Sequence, residues 1–148
     1  MINKNSKKAK VLEAVKKFGL ALGYASDKLR NDREIVMEAV KQDGRALDYA
    51  SEELRGDEEV VLEAVKQNGY ALRRASEELK RDREVVMEAV KQNGNALWYA
   101  SEFSEDREVV LEAIKQNWFA FNYASMELKK EMSYLWVKAM DFKRIKND

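Results

Sequence analysis

The chain has 148 residues, with 27 basic and 27 acidic side chains and neither cysteine nor histidine. It is long enough for one domain with a shared core, and its composition excludes disulfides, thiolate nucleophiles, the two commonest zinc ligands and the usual general base near neutral pH. The net charge of zero is unevenly distributed: residues 1–20 carry +5, residues 129–148 carry +3, and residues 21–128 carry −8.

The start, Met1 to Lys8, is charged and no apolar segment follows it. No secretory signal peptide is expected. With no run of about 18 apolar residues, no membrane span is expected either. The expected location is the cytoplasm. From Lys7 onward a unit of about 25 residues recurs five times, the signature of a solenoid. Its columns stay in register at Ala14, Ala39, Ala64, Ala89 and Ala113, and at Ser26, Ser51, Ser76, Ser101 and Ser125. The units run over about 7–31, 32–56, 57–81, 82–105 and 106–130. One such unit cannot bury its apolar side alone, so stacked neighbours must complete the core.

The second unit illustrates the rest. Asp32 is placed to cap a helix of roughly ten residues, with Glu34 in its first turn and Lys41 in its last, both favourable to the helix dipole. Gly44 stands where a residue past a helix end takes left-handed dihedrals. Ile35, Val36, Met37, Ala39 and Val40 leave only Glu34, Glu38 and Lys41 polar, a pattern expected of a helix covered on both sides. A second, shorter helix follows, with Ala46, Leu47 and Ala50 inward; a 3₁₀ geometry is the alternative for this segment. Ser51 can cap one more turn that carries Leu54 into the core. Lys7 and Lys10 replace the cap and an inward apolar residue in the first unit, which marks an uncovered end. Phe103 in the fourth unit and Phe121 in the fifth fill leucine columns and are expected in the core. Leu135 to Met140 echo the start of a repeat, which predicts a capping helix over about 133–145. The fold class expected is all-α, a short right-handed α-solenoid of helix-turn-helix repeats.

The string Asp-Arg-Glu-Val-Val-Met-Glu-Ala-Val-Lys-Gln-Asn-Gly over 82–94, continued through Ala-Leu-Trp-Tyr-Ala-Ser to Ser101 and repeated over Asp57 to Leu79, resembles the helical repeats of domain-of-unknown-function family 4116. That family occurs in bacterial and some viral and eukaryotic proteins. The resemblance covers about residues 9 to 128. Trp118 departs from its glycine, Phe121 from its leucine, and the Ser101 to Asp106 connection is one residue short. The resemblance implies a fold, no assigned activity and no catalytic residues.

No catalytic constellation is legible. The glutamates at 34, 38, 59, 63, 84, 88, 108 and 112 form a solvated stripe shared by every unit, and the Asp-rich helix starts lack calcium-loop spacing. No enzyme activity, cofactor or metal is expected. The informative contrast lies between units. Two columns vary: Leu20, Arg45, Tyr70, Asn95, Phe119, and Gly23, Asp48, Arg73, Trp98, Asn122. They lie three apart on the second helix and share a face. Exposed aromatics in such a place suit a contact surface. Arg45, Asp48, Tyr70, Arg73, Asn95, Trp98, Phe119 and Asn122 are the candidate partner-binding residues. The expected partner is a protein, met by a monomer acting as adaptor or inhibitor. Nucleic acid is the alternative, opposed by the acidic body.

Overall fold

The computed structural model describes residues 2–134. The described chain is all-helical. In order it forms α1 (Lys8–Lys17), η1 (Gly19–Tyr24), α2 (Asp27–Arg30), α3 (Arg33–Gln42), η2 (Gly44–Tyr49), η3 (Leu54–Gly56), α4 (Glu58–Gln67), η4 (Gly69–Arg74), η5 (Leu79–Arg81), α5 (Arg83–Gln92), η6 (Gly94–Tyr99), η7 (Ser101–Glu105), α6 (Arg107–Gln116) and η8 (Trp118–Tyr123), where η denotes a 3₁₀ helix. Residues 126–134 form a further helix. Each repeat is therefore an α-helix, a six-residue 3₁₀ helix and a short third segment.

Helices α3 to α6 start where the aspartates stand. Asp57 Oδ1 accepts from the Val60 N–H at 3.1 Å, and Asp82 Oδ1 from both Glu84 and Val85 N–H at 2.9 and 3.0 Å. Each of these helices ends at an extended residue, Asp43 with φ −155° and ψ 112° for α3, whose N–H still reaches back to the Ala39 carbonyl at 2.9 Å. That extended residue turns the chain directly into the 3₁₀ helix. The second helices thus adopt the tighter of the two expected geometries. Isolated 3₁₀ runs beyond three or four residues are uncommon; here neighbours on both sides hold each one.

Stacking is regular. Each α-helix packs on the next, each six-residue 3₁₀ helix on the next, and η1, η2, η4 and η6 each touch the α-helix of their own repeat and that of the following one. The core between these two layers is aliphatic. Val36, Val61, Val86 and Val110 are fully buried, as are Leu22, Leu47 and Leu72. Ser51 Oγ accepts from the Leu54 N–H at 3.2 Å, and Leu54 is buried. Ser51 N–H also donates to the Arg30 carbonyl at 3.0 Å, and Ser76 N–H to the Arg55 carbonyl at 2.9 Å, which ties successive third segments together.

Two expectations need correction. No described glycine has a positive φ. Gly44 opens its 3₁₀ helix rather than ending the α-helix, and a Cβ there would collide with the Ala64 carbonyl of the next repeat. The column is glycine because two backbones touch. Phe103 and Phe121 are half-buried rather than core; Phe121 instead stacks on Trp118, with centroids 5.3 Å apart and rings within 5° of parallel. Of the expected capping helix over about 133–145, only 133 and 134 lie among the described residues, within the helix over 126–134; the remainder lies outside them.

Charged side chains link the repeats along their α-helix starts. Lys8 Nζ meets Asp32 and Glu34, each at 2.8 Å. Arg33 bridges Asp57 at 2.8 Å and also Glu59. Arg83 bridges Asp106 and Glu108 at 3.0 and 2.6 Å. Glu58 occupies this column in the third repeat, where Asp82 and Glu84 have no ion-pair partner.

Candidate functional site

The 3₁₀ helices carry the variable columns, and η2, η4, η6 and η8 are each capped by the side chain of the residue just before them. Asp43 Oδ1 accepts from the Arg45 N–H at 3.0 Å, Asn68 from Tyr70 at 3.1 Å, and Asn93 and Asn117 likewise from Asn95 and Phe119 at 3.0 Å. The Asp/Asn column after the α-helix was not singled out in the sequence. Its recurrence just ahead of a second helical segment was the available signal for a cap. In a 3₁₀ helix, side chains three apart eclipse each other, so the two variable columns form one ridge per repeat.

Six of the eight candidate residues line two adjoining clefts. The first, of about 250 Å³, is lined by Arg45, Asp48, Tyr70, Arg73 and Tyr99, among others. The second, of about 280 Å³, is formed by Tyr70, Asn95, Trp98, Tyr99 and Tyr123. Tyr70 and Tyr99 form the shared wall, packed edge to face with centroids 6.5 Å apart. Asn95 Nδ2 donates to the Tyr70 hydroxyl at 3.3 Å. Trp98 is 64% exposed and leans on Tyr123 with centroids 5.4 Å apart. Phe119 is 69% exposed and Asn122 is exposed, and neither lines these clefts.

The polar members are already partnered. The Arg45 guanidinium lies against Asp43, with Nη2 2.7 Å from Oδ2. That hydrogen bond, acting against partial desolvation, holds the Asp43 carboxyl below the ordinary aspartate range. Asp48 is shared by two guanidinium groups: Arg73 bonds one oxygen, and Arg74 Nε donates to the other at 3.0 Å. The first cleft is thus walled by neutralised charge, the second by uncharged aromatic and amide groups.

The sequence reading missed the tyrosine column. Tyr24, Tyr49, Tyr99 and Tyr123 close their 3₁₀ helices one residue after the second variable column, and Arg74 alone departs from it. Tyr49 and Tyr24 also line a third cleft, of about 290 Å³, with Phe18, Leu20 and Gly23. A constant tyrosine beside variable positions was visible in the repeat alignment. Its orientation toward the surface was not, because a near-constant apolar column reads as core.

Among the described residues no group of histidine, cysteine or carboxylates is arranged to hold a metal ion, and no helix is long and apolar enough to cross a membrane. The fold and its grooved ridge define a helical-repeat solenoid with a constant frame and a varied outer face. The chain belongs to the family described as domain of unknown function DUF4116, whose model matches residues 10–55, 57–104 and 101–129. The first two matches each span two of the repeats described above. No curated protein and no solved structure matches the chain significantly.

Proposed function

We propose that this chain is a non-enzymatic protein-binding scaffold, an adaptor or an inhibitor of a partner protein, working as a monomer in the cytoplasm. The observation that carries this reading is Trp98. It is 64% exposed in a column that elsewhere holds Gly23, Asp48, Arg73 and Asn122, on a frame that is otherwise repeated. Aromatic anchors ringed by polar groups are the usual composition of an interface hot spot, and Tyr70, Trp98, Tyr99 and Tyr123 supply that arrangement around a ready-made cleft. A repeat scaffold presents such a surface without needing internal chemistry.

The test compares full-length wild-type chain with Trp98→Ala as bait in native extract treated with nuclease. A partner that the wild type captures should bind the variant at least about 2 kcal/mol more weakly, some thirtyfold. Equal capture by both proteins counts against this face. Nucleic acid is the second reading, favoured only by Tyr70 sharing its cleft with Arg45 and Arg73. It requires oligonucleotide binding that falls steeply as salt rises. The −8 charge of residues 21–128 opposes it.

A further inference from the structure

A different cleft lies on the other side of Arg73. It measures about 310 Å³, and its walls include Arg55, Arg73, Arg74, Ser76 and Lys80 together with the carboxylates of Glu52 and Glu77. The basic column to which Arg55 belongs is normally spent within its own repeat. Arg30 donates to the Gly23 carbonyl and lies 3.7 Å from Asp27. Lys80 Nζ donates to Glu77 at 2.7 Å, and Lys129 Nζ to the Asn122 carbonyl at 2.7 Å. The Arg55 side chain is half-buried and makes no hydrogen bond or ion pair, and its Nε, like that of Arg30, is sealed from solvent without an acceptor. The terminal nitrogens of Arg30 are nevertheless partnered, whereas the whole Arg55 guanidinium lacks an acceptor; buried donors are almost always satisfied, so this group calls for an acceptor that enters the cleft.

Two departures from the repeat leave further donors pointing the same way. Ser51 donates its hydroxyl to Asn31. Gly56 stands in the Asn31 column one repeat later, so Ser76 Oγ accepts from the Leu79 N–H at 3.3 Å while its own proton is uncommitted. Arg74 stands in the tyrosine column. Its Nε is held by Asp48 at 3.0 Å, which leaves its terminal nitrogens free. Asp48, Glu52 and Glu77 do not balance the three guanidinium groups and Lys80, so one positive charge is in excess.

We propose that this cleft is a binding site for an oxyanion, the phosphate monoester or carboxylate of a bound molecule. Arg55 would supply its fork, with Arg74 and the Ser76 hydroxyl as further donors. Planar guanidinium groups meet such oxygens in pairs of parallel bonds. The site stands apart from the aromatic clefts and does not depend on the partner's being a protein.

The experiment is an NMR titration of the ¹⁵N-labelled full chain, at fixed ionic strength, following the arginine Nε–H signals and the Ser76 amide. The probes are methyl phosphate and acetate. The Arg55 Nε–H signal should shift saturably with at least one of them. A preference for methyl phosphate assigns the phosphoryl group, and a preference for acetate the carboxylate. Arg55→Gln should weaken binding at least about tenfold, the loss of one charge-assisted contact. So should Arg74→Tyr, which restores the residue of the other repeats and keeps the fold. Lys66→Ala, on the outer side of α4, should leave the titration unchanged. An Arg55 signal unmoved by about 10 mM of either probe, far weaker than a built site, overturns the proposal. An unchanged affinity in Arg74→Tyr does the same.

Discussion

At Gly69 a Cβ would stand against the Ala89 carbonyl and within 3.1 Å of Asn93 in the next repeat. Backbone cannot step aside as a flexible side chain can. Gly69→Ala should therefore destabilise by about 1–3 kcal/mol, the range for forcing atoms into a packed site. Gly56 offers the opposite case. A Cβ there has only ordinary contact, 3.8 Å from Ser76, and its φ is not positive. Gly56→Ala should stabilise by about 0.4–1 kcal/mol, because it narrows the unfolded ensemble without straining the fold. Urea unfolding of both variants checks the pair, and equal signs would refute the account. The repeat pattern marks Gly69 as constant and Gly56 as variable, but only the distance to a neighbouring carbonyl says why.

Along the α-helix starts, one element is tied to the next by a basic residue that straddles an N-cap aspartate and the glutamate two positions on. The chain breaks this series at Glu58, which faces Asp82 and Glu84 across the same gap. Glu58→Arg should complete it and raise the melting temperature by about 1–3 °C, a small gain because the pair is exposed and screened. High salt should erase that gain. The same ties make the fold sensitive to acid. The Arg33 hydrogen bond, acting against desolvation, lowers the Asp57 pKa from 3.8. A carboxyl depressed in the folded state contributes stability that is complete above its unfolded pKa and lost as pH falls through its folded one. Urea midpoints should therefore drop below about pH 4, in the ordinary aspartate range and beneath it. Asp57→Asn keeps a cap but loses the titration, so its midpoint should fall less steeply over that interval; an identical acid limb would remove Asp57 from the account.

In the whole molecule, the two layers make each repeat's core a property of its neighbours. Val86 is fully buried in α5, which packs on both α4 and α6 and touches η4 and η6. Val86→Ala should cost about 1–3 kcal/mol from lost burial and a partial cavity. In a one-dimensional array, loss at the centre weakens coupling on both sides. Amide exchange should thus be slowest in α4 and α5 of the wild type, and Val86→Ala should speed it in both helices. Protection confined to α5 would mean that the repeats unfold independently.

The number of repeats, the α-helix boundaries near the aspartates, the buried valine column and the serine cap that seats Leu54 were all legible in the sequence. Each is written by local chemistry or by strict periodicity, and a register error would place charge in the core. The 3₁₀ form of the second helix, the contact that demands glycine at 19, 44, 69 and 94, and the meeting of Tyr70, Trp98, Tyr99 and Tyr123 around one cleft were decided by the tertiary structure. These depend on how far apart neighbouring repeats sit and how they are turned against each other. Spacing along one chain sets neither quantity. The same holds for Arg55, whose place in a basic column gives no sign that its partners there have been replaced.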